Sequence, residues 1–188
     1  MDPAPEQTLV RNILEHAADH PWRVQDVGVL GLWLDDRRER RLHVWHPDGA
    51  VGEPPIHDHP WDFASTVVVG ELVNRRYVEH PDGREYLRER YAPGNERDRR
   101  ADTVRLVGAP ETLRAGDRYR QRAHELHDSS QVPGTVTLLR FEHTGADRSE
   151  LTLCRRPGTP WVSGQARDAT PDEVHRITRA ALALFDGP

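Results

Sequence analysis

The chain contains no lysine, because all 26 of its basic residues are arginine. A Schiff-base mechanism and a lysine general base are therefore excluded. The sequence has one cysteine, Cys154, so no internal disulfide can form. No apolar run reaches the roughly 20 residues that a membrane helix requires. The formal net charge of -5 argues against general affinity for nucleic acid or for an anionic membrane.

These absences also indicate the cellular compartment of the protein and the kind of partner it has. A single cysteine is typical of a reducing compartment, and the opening MDPAPEQTLV lacks the basic and apolar regions of a secretory signal. We therefore expect a cytoplasmic protein that acts on a small-molecule substrate, with neither nucleic acid nor membrane as a partner. The 188 residues fit a single domain, 1–188.

A helical pattern lies at each end of the sequence. Residues 1–20 form an N-terminal helical segment, in which apolar residues recur at helical spacing. Residues 170–186 form a C-terminal helix, for which Thr170 is the predicted N-cap and Glu173 the capping-box acid. Between them, residues 27–156 are expected to form a β-barrel core.

Short strand-like runs separated by turn signals fill that middle region. The tetrapeptide HPDG occurs at 46–49 and at 80–83, and its proline and glycine suit a type I turn. The charged run GNERDRRAD, 94–102, is expected to be a solvated excursion. Many short strands with such turns are typical of a sandwich or a barrel. The clearest runs cover 27–34, 41–45, 65–69, 73–78, 84–91, 103–107 and 135–141.

The segment PPIHDHPWDF, residues 54–63, carries the first chemical signal. Residues i and i+2 of a strand share a face, so His57 and His59 can bring two imidazoles to one ion, whereas Asp58 points away. Imidazole is the common ligand for Fe, Zn, Cu and Ni. A third ligand must come from elsewhere, and His127 is the candidate, with His124 as its competitor.

Two segments together resemble the two motifs of the cupin superfamily, written G(X)5HXH(X)3,4E(X)6G and G(X)5PXG(X)2H(X)3N. The first motif begins one residue short, at Gly52, and runs through the two histidines to Gly70. The second begins at Gly116 and places its histidine at His127, with Gln131 where the closing asparagine would be. The resemblance covers about residues 41–142.

The chain departs from both motifs at positions that matter chemically. Arg122 and His124 replace the proline and glycine of the second motif. Phe63, which cannot coordinate a metal, stands at the position of the metal-binding glutamate. Asp62 is adjacent but faces away from the histidines in a regular strand, unless a bulge after Pro60 turns it inward. Whether Asp62 or His124 joins or replaces a ligand is left open.

The resemblance therefore implies a three-histidine site, His57, His59 and His127, with Fe(II) as the expected ion and Zn, Ni or Mn as alternatives. This ligand set is similar to that of the cysteine dioxygenase-like (thiol dioxygenase) branch, which binds a thiol on Fe(II). The Ser-His-Tyr relay that follows the third histidine in that branch cannot be placed. Arg140, Glu142 and His143 stand there instead, and Phe63 replaces the cysteine that some members crosslink to tyrosine.

Strand parity predicts that further residues line the site. Arg41, His43 and Trp45 share one face of the strand that precedes the first motif, and Arg41 could clamp a carboxylate there. Tyr77 and Tyr119 are candidate hydrogen-bond donors to the substrate. Trp61 and Phe63 would form an apolar wall that excludes water.

The expected protein is thus mainly β, a single cupin-type, jelly-roll-like β-barrel with a helix at each end. The expected function is that of a mononuclear non-haem Fe(II) dioxygenase acting on a small anionic substrate, a thiol or an amino-acid-like compound. One alternative is a cupin isomerase, lyase or cyclase that uses Zn, Ni or Mn as a Lewis acid. Another is a non-catalytic cupin that binds a small ligand. A homodimer is compatible with either.

Overall fold

Antiparallel strands make up most of the protein, and one α-helix lies at each end. The computed structural model describes residues 5–25, 28–46, 55–92, 95–142, 151–159 and 166–187. The helices are α1 (Pro5–Glu15), a short 3₁₀ helix (Ala17–Asp19) and α2 (Pro171–Asp186). The strands are β1 (Arg23–Gln25), β2 (Val29–Trp33), β3 (Arg40–Trp45), β4 (Ile56–His57), β5 (Asp62–Val69), β6 (Glu71–Ala92), β7 (Asn95–Arg114), β8 (Arg118–Gln121), β9 (His127–Gln131), β10 (Val136–Glu142), β11 (Leu151–Arg155) and β12 (Ala166–Asp168).

The described strands form two antiparallel sheets. The seven-stranded sheet has the order β12-β1-β2-β3-β10-β5-β8, and the five-stranded sheet has the order β11-β4-β9-β6-β7. In the second sheet β11 also pairs with the far half of β6. The expected mainly β fold with a helix at each end is confirmed. The sequence predicts a closed barrel. No closed barrel is assigned among the described strands, which form two sheets.

The eight strands from β3 to β10 pair in a nested order. β6 pairs with β7, β5 with β8, β4 with β9 and β3 with β10. The chain is therefore equivalent to one long hairpin that has been rolled up, so that its strands fall alternately into the two sheets. This arrangement brings β4 beside β9, although about 70 residues of chain separate them.

Both helices cover one face of the seven-stranded sheet. Leu42 and Val44 of β3 are fully buried against helix residues such as Val10 and Ile177. Alternate residues of a strand point to opposite faces, so the other residues of β3 face the space between the two sheets. The largest apolar cluster therefore lies on the outer face of this sheet and leaves its inner face available for polar groups. Neither α-helix in the described part of the chain is long and apolar enough to cross a membrane.

The start of α2 has the predicted capping box. The Thr170 hydroxyl accepts a hydrogen bond from the Glu173 N–H, and the Glu173 carboxylate accepts one from the Thr170 N–H. Pro171 occupies the first turn, where its missing N–H costs nothing. The Arg167 guanidinium also pairs with Glu173, and these contacts lower the pKa of the Glu173 carboxyl to about 2. The N-cap prediction is confirmed.

The two turn predictions at HPDG have different outcomes. Residues 80–83 lie inside β6, where Glu79 and Arg84 both stand opposite Leu106 of β7. The four residues therefore bulge out of a continuous strand and do not reverse the chain, which corrects the predicted turn. Most of the other copy, 47–49, lies outside the described residues.

The charged run 94–102 also differs from its prediction. Gly94 lies outside the described residues, and residues 95–102 begin β7, which pairs with β6 from Ala92 back to Glu71. This part of the run therefore lies in one arm of a long hairpin. One charged residue of the run contributes to this pairing: Asp102 accepts hydrogen bonds from Arg88 at 2.8 and 2.6 Å. A polar sequence is compatible with a strand wherever cross-strand pairs of opposite charge are available.

We predict that Thr170→Ala lowers the free energy of unfolding by about 1 kcal/mol, because two N–H groups at the start of α2 lose their reciprocal bonds. The change is measured as a shift in the midpoint of urea unfolding. Thr170→Ser is the matched control, since serine retains the hydroxyl, and it should stay close to the wild type. Equal losses in both variants would contradict the capping role.

Candidate metal centre

Strand pairing brings the two distant histidine segments together. β4 and β9 are antiparallel neighbours, and His57 stands directly opposite His127. Side chains of directly opposed residues lie on the same face of a sheet, about 5 Å apart at their β carbons. His59 follows His57 by two residues, and its ring lies beside both others. The structure thus brings together the three histidines that the sequence predicted.

The three rings form one cluster of candidate metal ligands. The ring centroids are 4.8 Å apart for His57 and His59, 4.7 Å for His57 and His127, and 5.2 Å for His59 and His127. One nitrogen from each ring lies within 4.8 Å of those of the other two. The Nε2 atoms of His59 and His127 are 3.1 Å apart.

Hydrogen bonds on the far side of two rings fix which nitrogen faces the centre. The His127 Nδ1–H donates to the side-chain oxygen of Asn74 at 2.9 Å. The His57 Nδ1–H donates to the backbone oxygen of Pro55 at 2.9 Å. In a neutral imidazole the other nitrogen then carries a lone pair. Nε2 is therefore the free ligand atom of both rings, as in many metal-binding histidines.

The spacing of the nitrogens fits a common ion. Two nitrogens bound about 2.1 Å from one metal are roughly 3.0 Å apart at a right angle and roughly 3.4 Å apart at a tetrahedral angle. The observed 3.1 Å between the Nε2 atoms of His59 and His127 falls in this range. Two Nε2 lone pairs at this distance repel each other unless a proton or a cation lies between them. The donor set therefore fits a metal ion.

Burial keeps these rings neutral, which is the form that binds metals. The pKa values of His59 and His127 lie well below the ordinary value, because burial disfavours the imidazolium and the neighbouring rings add repulsion. Burial also lowers the pKa of His57, although the charges of Asp58 and Asp128 oppose the shift. The site therefore offers lone pairs without prior loss of protons.

The alternative ligands that the sequence left open are directed elsewhere. Asp62 accepts hydrogen bonds from the Ala123 N–H at 2.8 Å and from Arg120 at 3.0 Å, on the outer side of β5. A bulge does not turn it inward. His124 lies 3.5 Å from the Asp58 carboxylate and is half exposed. Neither residue joins the three-ring cluster among the described residues.

His124 nevertheless has a structural role at the turn before β9. Its φ of 60° lies in the left-handed region, which favours glycine and which histidine adopts less often. The second motif of the resemblance has glycine at this position. The His124 N–H donates to the His59 backbone oxygen at 2.8 Å. This bond ties the two histidine segments together.

Phe63 stands where the resemblance would place a carboxylate, and it packs against the site. Its ring lies edge-on to His59 at 5.1 Å and contacts Phe141 at 6.1 Å. Phe141 in turn contacts Trp61 at 5.7 Å and Trp33 at 5.3 Å. These four rings form an aromatic wall beside the histidines. The predicted apolar wall of Trp61 and Phe63 is thus present and is longer than expected.

The inner face of β3 carries Arg41, His43 and Trp45, as strand parity predicted. Trp45 packs between the sheets against Val67 and Leu72. The charge of Arg41 contributes to the lowered pKa of His59, and burial, with smaller contributions from Arg41 and His59, lowers the pKa of His43. All three β3 side chains have a buried nitrogen without a hydrogen-bond partner among the described residues: Arg41 Nε, His43 Nε2 and Trp45 Nε1.

The two predicted tyrosine donors have different locations. Tyr119 of β8 lies edge-on to Phe63 at 6.2 Å, on the inner face. Burial raises the pKa of its hydroxyl to about 12, so it remains a donor. The Tyr77 hydroxyl donates to Asp128 at 2.6 Å, and Asp128 faces away from the adjacent His127. Tyr77 therefore lies on the opposite face of the sheet from the three histidines.

Asn74 is the residue of the site that was not anticipated from the sequence. It lies in β6, opposite Ser129 of β9, and it is fully buried. One indication that Asn74 is buried is present in the run VNRRYV, because Asn74 lies on the same strand face as the buried Leu72. Recognising it required the register between β6 and β9, which strand patterns do not provide.

Comparisons with known proteins assign no family. No protein-family model and no curated protein matches the chain. Among solved structures, the chain is similar to Drosophila melanogaster CENP-C bound to CAL1, with 12% identity, 73% of this chain and 99% of that chain covered, and a TM-score of 0.42. It is also similar to a cupin-like protein from Thermotoga maritima, with 12% identity, coverage of 83% and 87%, and a TM-score of 0.31. Both TM-scores are low, and neither likeness carries an argument about function.

We predict that Asn74→Leu weakens metal binding by about 10- to 100-fold, because the His127 Nδ1–H loses the acceptor that orients its ring. Titration of the metal-free variant with a divalent ion measures the affinity. Asn74→Asp keeps an acceptor at the same place and should bind at least as tightly as the wild type. If the leucine and aspartate variants bind equally well, Asn74 does not orient His127.

We also predict that the metal-free protein loses stability as the pH falls below 6.5, the ordinary histidine pKa. Below that pH the histidines of the unfolded chain become protonated, whereas the buried rings of the folded chain stay neutral. Protonation therefore stabilises the unfolded state, and unfolding becomes more favourable. The melting temperature between about pH 7.5 and about pH 5.5 measures the effect. His59→Gln should flatten the profile, whereas the exposed His16→Gln should not. Identical slopes in both variants would contradict the assignment.

Proposed function

We propose that this protein is a mononuclear metal-dependent enzyme with a cupin-type jelly roll. The nested pairing of eight strands across two sheets supports this fold, because a jelly roll is a long antiparallel hairpin rolled in the same way. The metal ligands are His57, His59 and His127. The observation that carries the proposal is the convergence of their nitrogens within 4.8 Å of one another.

The three ligands are neutral, so they leave the charge of a divalent ion uncompensated. An ion in this state attracts an anionic substrate directly. We propose Fe(II), which in three-ligand sites with open positions supports the reaction of dioxygen with a bound substrate.

The residues around the ligands have distinct tasks in this proposal. Arg41 binds an anionic group of the substrate and so fixes its orientation. Tyr119, whose hydroxyl stays protonated at neutral pH, donates a hydrogen bond to the substrate. Phe63 and the aromatic wall exclude water from one side of the reacting centre. Tyr77 lies on the opposite face, so we assign the donor role to Tyr119 alone.

A thiol is the first substrate to test, because the ligand set is similar to that of the thiol dioxygenases. A crosslinked cysteine and tyrosine, as some members of that branch have, cannot form at Phe63. The alternatives are a Lewis-acid isomerase, lyase or cyclase with Zn, Ni or Mn, and a cupin that binds a ligand without converting it. Both alternatives would use the same three histidines, so the metal content and the reaction must distinguish them.

Metal analysis of protein purified without chelator tests the proposal. We expect about one iron per chain in the wild type and little in His57→Ala or His127→Ala, because a site with two ligands binds far more weakly. His16→Ala, an exposed histidine on the N-terminal segment, is the control and should retain its metal. Full occupancy in both site variants would remove the three-histidine centre.

Oxygen consumption with a panel of small thiols and amino acids then distinguishes the three functions. Consumption that requires iron and is lost in His127→Ala supports a dioxygenase. Zinc or nickel in the purified protein without oxygen consumption supports the Lewis-acid alternative. Ligand binding without turnover under either metal supports a binding protein.

A further inference from the structure

A cavity lies among the helices that cover the outer face of the seven-stranded sheet, away from the three histidines. Its volume is about 750 Å³. It is lined by residues of the segments 14–22 and 168–171 and by one face of α2 between Val174 and Leu182. We call it the helix cavity. Small-molecule sites in proteins commonly have volumes of roughly 300–1,000 Å³, so this cavity has the size of a ligand site.

The inner wall of the helix cavity is apolar. Leu14, Trp22 and Val174 line it, and all three are buried members of the largest apolar cluster. The Trp22 indole N–H donates to the Ala17 oxygen at 2.8 Å, so it leaves no unpaired donor in this wall. Along α2 the lining residues recur at the spacing of one helix face, at positions 171, 174, 175, 178, 179 and 182. An apolar group bound against this wall would leave water.

The rim of the helix cavity has an uncompensated positive charge. Arg179 lines the cavity and has neither an ion-pair partner nor a hydrogen-bond partner among the described residues. The two carboxylates of the rim have arginine partners of their own. Glu15 pairs with Arg11 at 2.9 Å, and Asp168 lies 3.6 Å from Arg23. The balance of charge at the rim therefore favours an anion.

Two imidazoles add hydrogen-bonding groups to this rim. His20 and His175 line the cavity, and neither side chain has a partner within the described part of the chain. A neutral imidazole has one N–H donor, and a guanidinium has five in a planar fork. The cavity thus combines an apolar wall with a rim of donors, and this combination is typical of sites that bind a molecule with an apolar body and a polar end.

The extent of the cavity favours a small molecule over a protein partner. Fifteen residues line it. A standard protein interface involves about 20 to 30 residues on each side and is broader and flatter. The lining is also concave, which allows a small ligand to bury most of its surface.

We propose that the helix cavity is a second binding site, which takes a small amphipathic carboxylate. The apolar body of the ligand lies against Leu14, Trp22 and Val174, and its carboxylate lies at Arg179. The planar fork of a guanidinium matches the two oxygens of a carboxylate. None of these residues contributes to the three-histidine cluster, so this inference does not depend on the proposed metal centre.

Calorimetric titration of the full chain with three probes tests the proposal. Octanoate has an apolar body and a carboxylate, 1-octanol has the body alone, and acetate has the carboxylate alone. We expect octanoate to bind at least roughly tenfold more tightly than either, because each buried methylene contributes about fourfold and a charge-assisted contact adds to it. Equal affinity for octanoate and 1-octanol, or no binding of octanoate, would overturn the proposal.

Arg179→Gln removes the charge from the rim and leaves the apolar wall intact. Octanoate should bind roughly tenfold more weakly to this variant, whereas the affinity for 1-octanol should not change. Arg176→Gln is the matched control, because Arg176 is also an exposed arginine of α2 but does not line the cavity. Equal weakening in both variants would mean that octanoate responds only to the overall charge of α2, which would overturn the proposal.

Ala18→Trp fills the cavity and keeps the charge of Arg179. Ala18 lies in the 3₁₀ helix, is exposed and lines the cavity, so the fold should tolerate a larger side chain there. Octanoate binding should fall by at least roughly tenfold, because the indole takes the space of the apolar body. Undiminished binding in this variant would place the ligand elsewhere and would overturn the site.

His127→Ala separates this inference from the proposed metal centre. The variant lacks one candidate metal ligand, so a carboxylate has no complete metal centre to bind, and its affinity for octanoate should equal that of the wild type. Loss of octanoate binding in His127→Ala would place the carboxylate at the metal and would overturn the site in the helix cavity. If the wild type binds octanoate as expected but holds no metal, the proposed function fails and this inference is supported.

Discussion

The pairing of β4 with β9 is the constraint on which the candidate site depends. In β4, a strand of two residues, His57 stands opposite His127. A slip of one residue would turn His127 to the other face of the sheet and separate the ligands. The neighbouring strands hold the register: Arg76 of β6 pairs with His127 on one side, and Leu153 of β11 pairs with His57 on the other. A very short strand is thus positioned by longer ones.

The two faces of the seven-stranded sheet differ: the outer face is apolar and stabilises the fold, and the inner face carries polar side chains near the candidate site. Its outer face packs Leu42 and Val44 against both helices and forms the largest apolar cluster. Its inner face carries Arg41 and His43, whose buried nitrogens lack partners among the described residues. Unpaired polar groups of this kind cost stability, and proteins tolerate them where a ligand will meet them. The helices on the outer face offset that cost without touching the site.

Much of this arrangement could be predicted from local sequence patterns. The capping box at Thr170 and the parity of Arg41 depend on a few neighbouring residues, and local geometry fixes their outcome. His57 and His59 come together as predicted, although β4 ends at His57 and His59 lies beyond the strand. The excursion at 80–83 and the roles of Asn74 and Tyr77 could not be predicted in the same way. Each depends on which strand lies alongside and in which register, and that is set by tertiary pairing. The chemistry of HPDG suits a turn, yet the long β6–β7 hairpin continues through it.

The nested pairing of the strands also determines how the chain must fold. The innermost pair, β6 and β7, is local, but the outermost pair joins Val44 to Val136. Such a topology has a high contact order, so loop-closure entropy slows its assembly. During translation the inner hairpin can form early, whereas β3 must wait for β10 to pair with its edge and for α2 to cover its apolar face. In that interval this face is incompletely covered, and the nascent chain is most exposed to aggregation and most dependent on chaperones.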